Sequence, residues 1–254
     1  MTTSAPAVRP DRRTAPSFYD RLYAQAEGDP GRIPWSDGRA HPALVRWLDV
    51  VAPQLVRCGG RVVVPACGFG ADATEVARRG YEVLGFDAAP AALHWARRLD
   101  PDGSVAWVEA DLFDLPARWR HRFDLVVEVN TVQALAPECR GDVLAAMADL
   151  VAPHGHLLAI GRAVPPESSD ASATPDAAPI ASASASASAS ASRDEGDEGD
   201  EGERRDGPPW PVDVDELVGL AAAVGLEPEH DVHRFESDER PGRWLFRGLF
   251  RRPS

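Results

Sequence analysis

Val62-Val63-Val64-Pro65-Ala66-Cys67-Gly68-Phe69-Gly70-Ala71-Asp72, followed by Gly85-Phe86-Asp87, decides the fold of this 254-residue chain. The unbroken apolar run reads as a strand covered on both faces. Gly68 and Gly70 then let the backbone turn tightly and approach a ligand closely. Asp87 ends a second strand, where a carboxylate can accept both hydroxyls of a ribose. The spacing Gly68-x-Gly70-x-x-Ala73 also satisfies the dinucleotide fingerprint, so two adenosine cofactors compete: a nicotinamide dinucleotide and S-adenosylmethionine. A pyrophosphate would sit on the amides of this helix N-terminus, where the carboxylate of Asp72 repels it. The ammonium and sulfonium of S-adenosylmethionine are cationic instead. Asp72 also complements the helix dipole, whichever ligand binds.

Composition narrows the function classes. With 44% hydrophobic residues the chain can bury one substantial core. Its formal charge of -13 argues against binding nucleic acid through phosphates, an affinity that rests on Lys and Arg neutralising the backbone. All 27 basic residues are arginine. That excludes a P-loop lysine, a Schiff-base lysine and the Tyr/Lys proton relay of short-chain dehydrogenases. Cys58, Cys67 and Cys139 stand far apart without CxxC or His-rich partners, so neither a metal site nor a disulfide framework is indicated. The first 16 residues are polar and Pro-rich, with no apolar core of a leader, and no apolar stretch approaches a membrane span. A cytoplasmic protein acting on a small molecule is expected, with no nucleic-acid, membrane or metal partner; a monomer is the default.

Along the chain, residues 1–16 read as a disordered lead. A helical pattern at 18–23 and a longer helix over 41–56 precede the first strand at 61–66. Helix 71–79, strand 82–86, helix 90–98, strands 104–109 and 123–129, helix 138–151 and strand 155–162 follow, an alternation that means βαβ units and a parallel sheet. Residues 164–206 change character, with an Ala-Ser repeat from Ala181 to Ser192 and then Asp-Glu-Gly repeats. Neither half can bury enough apolar surface to offset its ordering entropy, so the segment reads as a disordered insertion in a single domain made of 17–163 and 207–254. After it, Asp213 or Asp215 caps a helix ending near Val224, Gly225 stops it, and segments 226–235 and 243–250 form a closing antiparallel hairpin.

Five segments, in order and spacing, carry a family resemblance: Pro34-Trp35-Ser36-Asp37-Gly38-Arg39-Ala40-His41-Pro42, the Pro65 to Asp72 turn, Gly85-Phe86-Asp87, Phe123-Asp124-Leu125-Val126-Val127-Glu128, and Pro137-Glu138-Cys139-Arg140. With Gly207-Pro208-Pro209, they resemble class I S-adenosylmethionine-dependent methyltransferases of the thiopurine, thiol and halide group. Val64-Pro65 stands where most class I enzymes carry an acidic residue, and it matches this group. The resemblance implies an α/β fold: a Rossmann-like seven-stranded sheet with helices on both faces and the last strand antiparallel. It implies S-adenosylmethionine as cofactor, with Trp35 closing over it and Arg39 nearby. Backbone at Ala66, Gly68 and Gly70 would line the methionine part, and Asp87 would bind the ribose. Asp111 would meet the adenine amino group, Leu112 would pack on the ring, and Glu128 would face the methionine ammonium or the substrate.

Each assignment has a structural rival. Trp35 beside Pro34 can anchor the N-terminal segment, and Asp111 can cap the following turn. Cys67 reads as a small buried apolar residue, and His41, His94, His154 and His156 lack a paired carboxylate. Where the thiol and halide enzymes carry aromatic residues after the acid, this chain has Asn130, Thr131 and Gln133, so these residues and Arg39 are the candidates for the acceptor. A nicotinamide-dependent oxidoreductase and a catalytically silent cofactor-binding protein remain as alternatives; the first lacks visible hydride-relay residues.

Overall fold

The computed structural model describes residues 11–166 and 208–254. Seven helices and eight strands are named here in chain order: α1 Ala15–Ala26, α2 Pro42–Val50, α3 Ala52–Leu55, β1 Arg61–Pro65, α4 Ala71–Arg78, β2 Glu82–Asp87, α5 Pro90–Leu99, β3 Val105–Glu109, β4 Phe123–Val129, α6 Arg140–Leu150, β5 Val151–Arg162, α7 Val214–Ala223, β6 Glu227–Pro228, β7 His233–Glu236 and β8 Trp244–Arg251. The sheet runs β3-β2-β1-β4-β5-β8-β6, with β7 also on β8. β1 to β5 pair in parallel, and β8 is antiparallel to β5.

The period of two in the strands builds two cores. Val62, Val64, Leu125 and Val127 face α2 and α4 on one side, while Val63 and Val126 face α6 and α7 on the other. Strands buried on both faces must be apolar throughout, which the sequence of β1 and β4 satisfies. Order along the sheet reverses at β1, which lies between β2 and β4. The C-terminal ends of those three strands diverge there and leave a crevice.

Four boundaries differ from expectation, each for a local reason. Helix 41–56 is two helices, because Pro53 lacks the amide that would continue the first. The closing strand expected over 226–235 is divided: β6 and β7 pair the same β8 with a register offset of two residues, so the sheet has eight strands where seven were expected. β5 starts at Val151, before a bulge opposite Phe123–Leu125. Order also begins earlier than residue 17. Asp11 accepts from the amides of Arg13 and Thr14, both at 2.9 Å, and Arg12 pairs with Asp142 at 3.1 Å. Residues 1–10 and 167–207 lie outside the described part, so the lead and most of the insertion are not addressed by it; the chain re-enters beside its exit, where the Val164 amide donates to Val212 at 3.0 Å.

Candidate active site

The turn after β1 is left-handed at three positions, Ala66 (φ 47°), Gly68 (φ 55°) and Gly70 (φ 84°). Glycine at 70 has a packing cause as well. A Cβ there would lie 2.2 Å from Cη2 of Trp107, and one at Gly85 2.6 Å from the same ring. Trp107 cannot yield, because its Nε1 donates to Asp100 at 3.1 Å. A ring on β3 thus fills the space beneath the turn, while a Cβ at Gly68 would lie 2.6 Å from the Tyr23 hydroxyl of α1.

Asp87 ends β2 almost fully buried. Its Oδ2 accepts from the Gly68 amide and its Oδ1 from the Ala89 amide, each at 2.9 Å. Burial pushes this carboxyl up to about 6, while the backbone N–H groups of Ala89, Gly68 and Ala88 pull it down. A carboxylate offers roughly four lone-pair sites, so two remain for a ligand. Asp111 follows β3. Its Oδ1 accepts from the Phe113 amide at 2.9 Å, so it does cap the turn, and its Oδ2 makes no hydrogen bond among the described residues. Leu112 beside it is buried.

Aromatic side chains roof the turn. Trp35 stands edge-on to Tyr19 (5.5 Å) and Tyr23 (6.3 Å), and Tyr23 meets Phe69 at 5.1 Å. The Tyr19 hydroxyl donates to the Ala134 carbonyl, tying α1 to the segment after β4. Burial pushes both tyrosine hydroxyls up, with the Asp87 charge adding to it. The sequence reading saw α1 only as a helical pattern. Its functional signal, tyrosines four residues apart on one helix face, becomes legible only once α1 is known to lie over the glycine turn.

Asp72 has a role that neither sequence reading anticipated: its Oδ1 accepts from the His41 amide at 2.8 Å. It thereby pins the segment carrying Trp35 and Arg39 to the start of α4. Burial raises Asp72 to about 6. His41 caps α2 by accepting from the Ala43 amide at 3.2 Å, and burial lowers it to about 4.

These elements enclose a cleft lined by Trp35, Ala66, Gly68, Gly70, Asp87, Asp111 and Leu112, with Arg39, Asn130, Thr131 and Gln133 on its other side. Glu128 is not brought into it. Wholly buried at the end of β4, its Oε1 accepts from the Thr131 (2.6 Å) and Val132 (3.1 Å) amides, and Oε2 has no partner. Burial pushes Glu128 up to about 7. It holds the turn that carries Asn130 and Thr131 from beneath. The Gln133 side-chain carbonyl accepts from the Arg162 amide, and Asn130 adopts φ 66°, a conformation Asn tolerates better than most residues. Arg39 pairs with Glu239 at 2.6 Å. Burial raises the Cys67 thiol, in keeping with an inert packing residue. Pro208 and Pro209, joined by a cis peptide bond, also border the cleft.

Among the described residues no cluster of three or more His, Cys, Asp or Glu could hold a metal ion, and no helix is long and apolar enough to cross a membrane. Residues 62–155 match a family described as a methyltransferase domain. Thiocyanate methyltransferase 1 of Brassica oleracea is 32% identical over 136 residues, 51% of this chain and 57% of the relative; its counterpart in Arabidopsis thaliana is 32% identical over 135 residues, 50% and 55%. The chain thus spans about half the length of the curated relatives it matches. Among solved structures, Burkholderia thailandensis 1,6-didemethyltoxoflavin-N1-methyltransferase with bound 1,6-didemethyltoxoflavin and S-adenosylhomocysteine superposes with TM-score 0.63 at 17% identity, over 100% of this chain and 93% of that one. The magnesium protoporphyrin IX methyltransferase of Synechocystis with bound S-adenosylmethionine gives 0.61 at 13%, over 99% and 100%. At such identities the likeness concerns the fold, and a [4+2]-cyclase, SpnF, shares it at TM-score 0.64 and 17% identity, over 98% of this chain and 99% of that one. The matched segment, which carries the glycine turn, Asp87, Asp111 and β4, is thus similar to a methyltransferase domain, and the fold is shared with the solved methyltransferases.

Proposed function

We propose that the protein is a cytoplasmic S-adenosylmethionine-dependent methyltransferase of a small molecule with a soft nucleophile: a thiol, a chalcogenide or a halide. The observation that carries this is Asp87. A buried carboxylate at the switch point of a parallel sheet, satisfied on one side by two amides and open on the other, has the donor preference of a ribose diol. The rest of the lining fits the same cofactor: Asp111 Oδ2 to accept from an adenine amino group, Leu112 to pack on the ring, and the backbone of Ala66, Gly68 and Gly70 for the methionine part.

Held by Asp87, Asp111 and the glycine turn, S-adenosylmethionine would supply an electrophilic methyl carbon on a sulfonium, with the neutral thioether S-adenosylhomocysteine as its leaving group. The chain's residues orient the partners and keep water out. Tyr19, Tyr23 and Trp35 roof the cleft, and Glu128 fixes the Asn130–Thr131 turn opposite. Among the described residues of the cleft, Asp72, raised to about 6 by burial, has one oxygen committed to the His41 amide. The tyrosine hydroxyls are raised, His41 is low and its Nδ1 is engaged, and Glu128 stands outside the cleft. A thiolate or halide needs no base, which supports a soft acceptor over a hydroxyl. The thiocyanate methyltransferases among the relatives support the same class.

Titrating one preparation with S-adenosylhomocysteine and with NADH tests the cofactor. Saturable binding of the first alone is expected; saturable NADH binding with no response to the adenosyl thioether would overturn it.

A further inference from the structure

A second cavity, of about 560 Å³, adjoins the cleft and shares Trp35, Asp37, His41, Asn130, Gln133, Pro208 and Pro209 with it. Its outer wall is the β7–β8 hairpin, through Phe235, Ser237 and Leu245, and α1 closes another side with Phe18 and Leu22. The hairpin tip is clasped to the segment around Trp35 by three ion pairs: Asp37 with Arg240, Arg39 with Glu239 at 2.6 Å, and Arg46 with Asp238 at 3.4 Å. Each pair is solvent-exposed and so weak and salt-screened, but together they join residues some 200 apart in sequence.

Resting on the methyltransferase reading, we propose that this cavity is the acceptor chamber, that the β7–β8 hairpin is its specificity-determining wall, and that it takes an organic acceptor with an extended apolar body rather than a lone inorganic anion. Size is the first argument. The volume falls within the roughly 300–1,000 Å³ of sites for drug-sized molecules, whereas a halide needs about the space of one or two waters, ~30 Å³ each. Composition is the second. Phe18, Leu22, Phe235 and Leu245 supply apolar walls; of the charged groups that also line it, Asp37, Arg46, Asp238, Glu239 and Arg240 are taken up in the clasp, beside Arg162 and Arg243; and the polar groups Asn130 and Gln133 stand where the chamber meets the cleft. The Asn130 side chain makes no hydrogen bond among the described residues, and its left-handed backbone is the kind of local strain that gathers at working sites. An acceptor seated here points its polar end toward the cofactor cleft and its body toward the hairpin.

The test uses the full chain saturated with S-adenosylhomocysteine, and 2-naphthalenethiol as probe. Calorimetry is expected to show saturable binding that Ser237→Trp weakens at least tenfold by filling the chamber, with S-adenosylhomocysteine affinity unchanged within twofold. Phe235→Ala, which removes a wall instead, is expected to weaken the probe at least fivefold on the same terms. In turnover, kcat/KM for 2-naphthalenethiol exceeds that for iodide and thiocyanate at least tenfold. Absence of probe binding to the cofactor-product complex, wild-type affinity for the probe in both variants, or a kcat/KM for an inorganic anion that matches the thiol overturns the chamber. Failure of S-adenosylhomocysteine to bind at all overturns the methyltransferase reading, and the chamber with it.

Discussion

Replacing Asp87 by Asn separates the carboxylate's ligand role from its structural one. Asp87 spends one oxygen on the Gly68 amide and the other on the Ala89 amide, both at 2.9 Å. An Asn Oδ1 keeps one of these bonds, while its amide group faces the remaining N–H donor to donor. The ribose side then loses a charged acceptor, a change of about 1.5–3 kcal/mol, or roughly 10- to 150-fold in Kd. Starting from the micromolar range, about -8 kcal/mol, the variant should bind S-adenosylhomocysteine weakly or not measurably. Stability should move far less. At pH 7 the native carboxylate is held ionised against burial that pushes it up to about 6, so Asn relieves one cost while it adds another. Protonation also removes a ligand acceptor, so wild-type affinity should fall as pH drops through about 6, and Asp87→Asn should lose that dependence. Calorimetry at pH 7.5 and 5.5, beside a thermal melt, reads all three quantities. An Asp87→Asn affinity within twofold of wild type would refute the ribose assignment.

Gly70→Ala should destabilise the fold and abolish cofactor binding: the left-handed backbone costs about 1–2 kcal/mol, and the added methyl collides with the pinned Trp107 ring, which a melting curve will show. For Glu128, raised to about 7 by burial against an unfolded value near 4.3, the native state binds more protons between those limits, so its contribution to stability is present at low pH and is lost as pH rises through about 7. Glu128→Gln should therefore flatten the pH dependence of the melting temperature between about 4.5 and 7; a curve parallel to wild type contradicts it. Replacing residues 167–206 by a short Gly/Ser linker should leave melting temperature and cofactor binding nearly unchanged, since the flanking Val164 and Val212 already meet and a shorter loop costs little; a large drop would show that the segment docks on the domain.

The element order and the switch-point cleft were legible in the sequence because they rest on local signals: strand-length apolar runs, glycines at a turn, and a carboxylate at a strand end. Asp111 and Leu112 have no such local signal and were reached through the family resemblance. What escaped depends on contacts between distant residues. Trp107, the cause of glycine at 70 and 85, acts across neighbouring strands. Tyr19 reaches Ala134 over 115 positions. Asp72 reads as an electrostatic discriminator until its bond to the His41 amide is seen. The resemblance implies that Glu128 faces the methionine ammonium or the substrate, yet the chain bends back over it and its own turn takes up Oε1. The division of β6 from β7 leaves no trace in hydropathy, since both halves keep the same partner strand.

The central claim is methyl transfer, and the most direct measurement follows the methyl group itself. Full-length protein is incubated with S-adenosylmethionine carrying a deuterated methyl and with an acceptor panel of thiols, iodide, thiocyanate, amines and hydroxylated aromatics, and products are read by mass spectrometry. The account predicts a deuteromethyl thioether in one-to-one ratio with S-adenosylhomocysteine, lost in Asp87→Asn. Bound but unreacted S-adenosylmethionine across the whole panel would contradict it, whereas label appearing only on amines or hydroxyls would overturn the acceptor class alone.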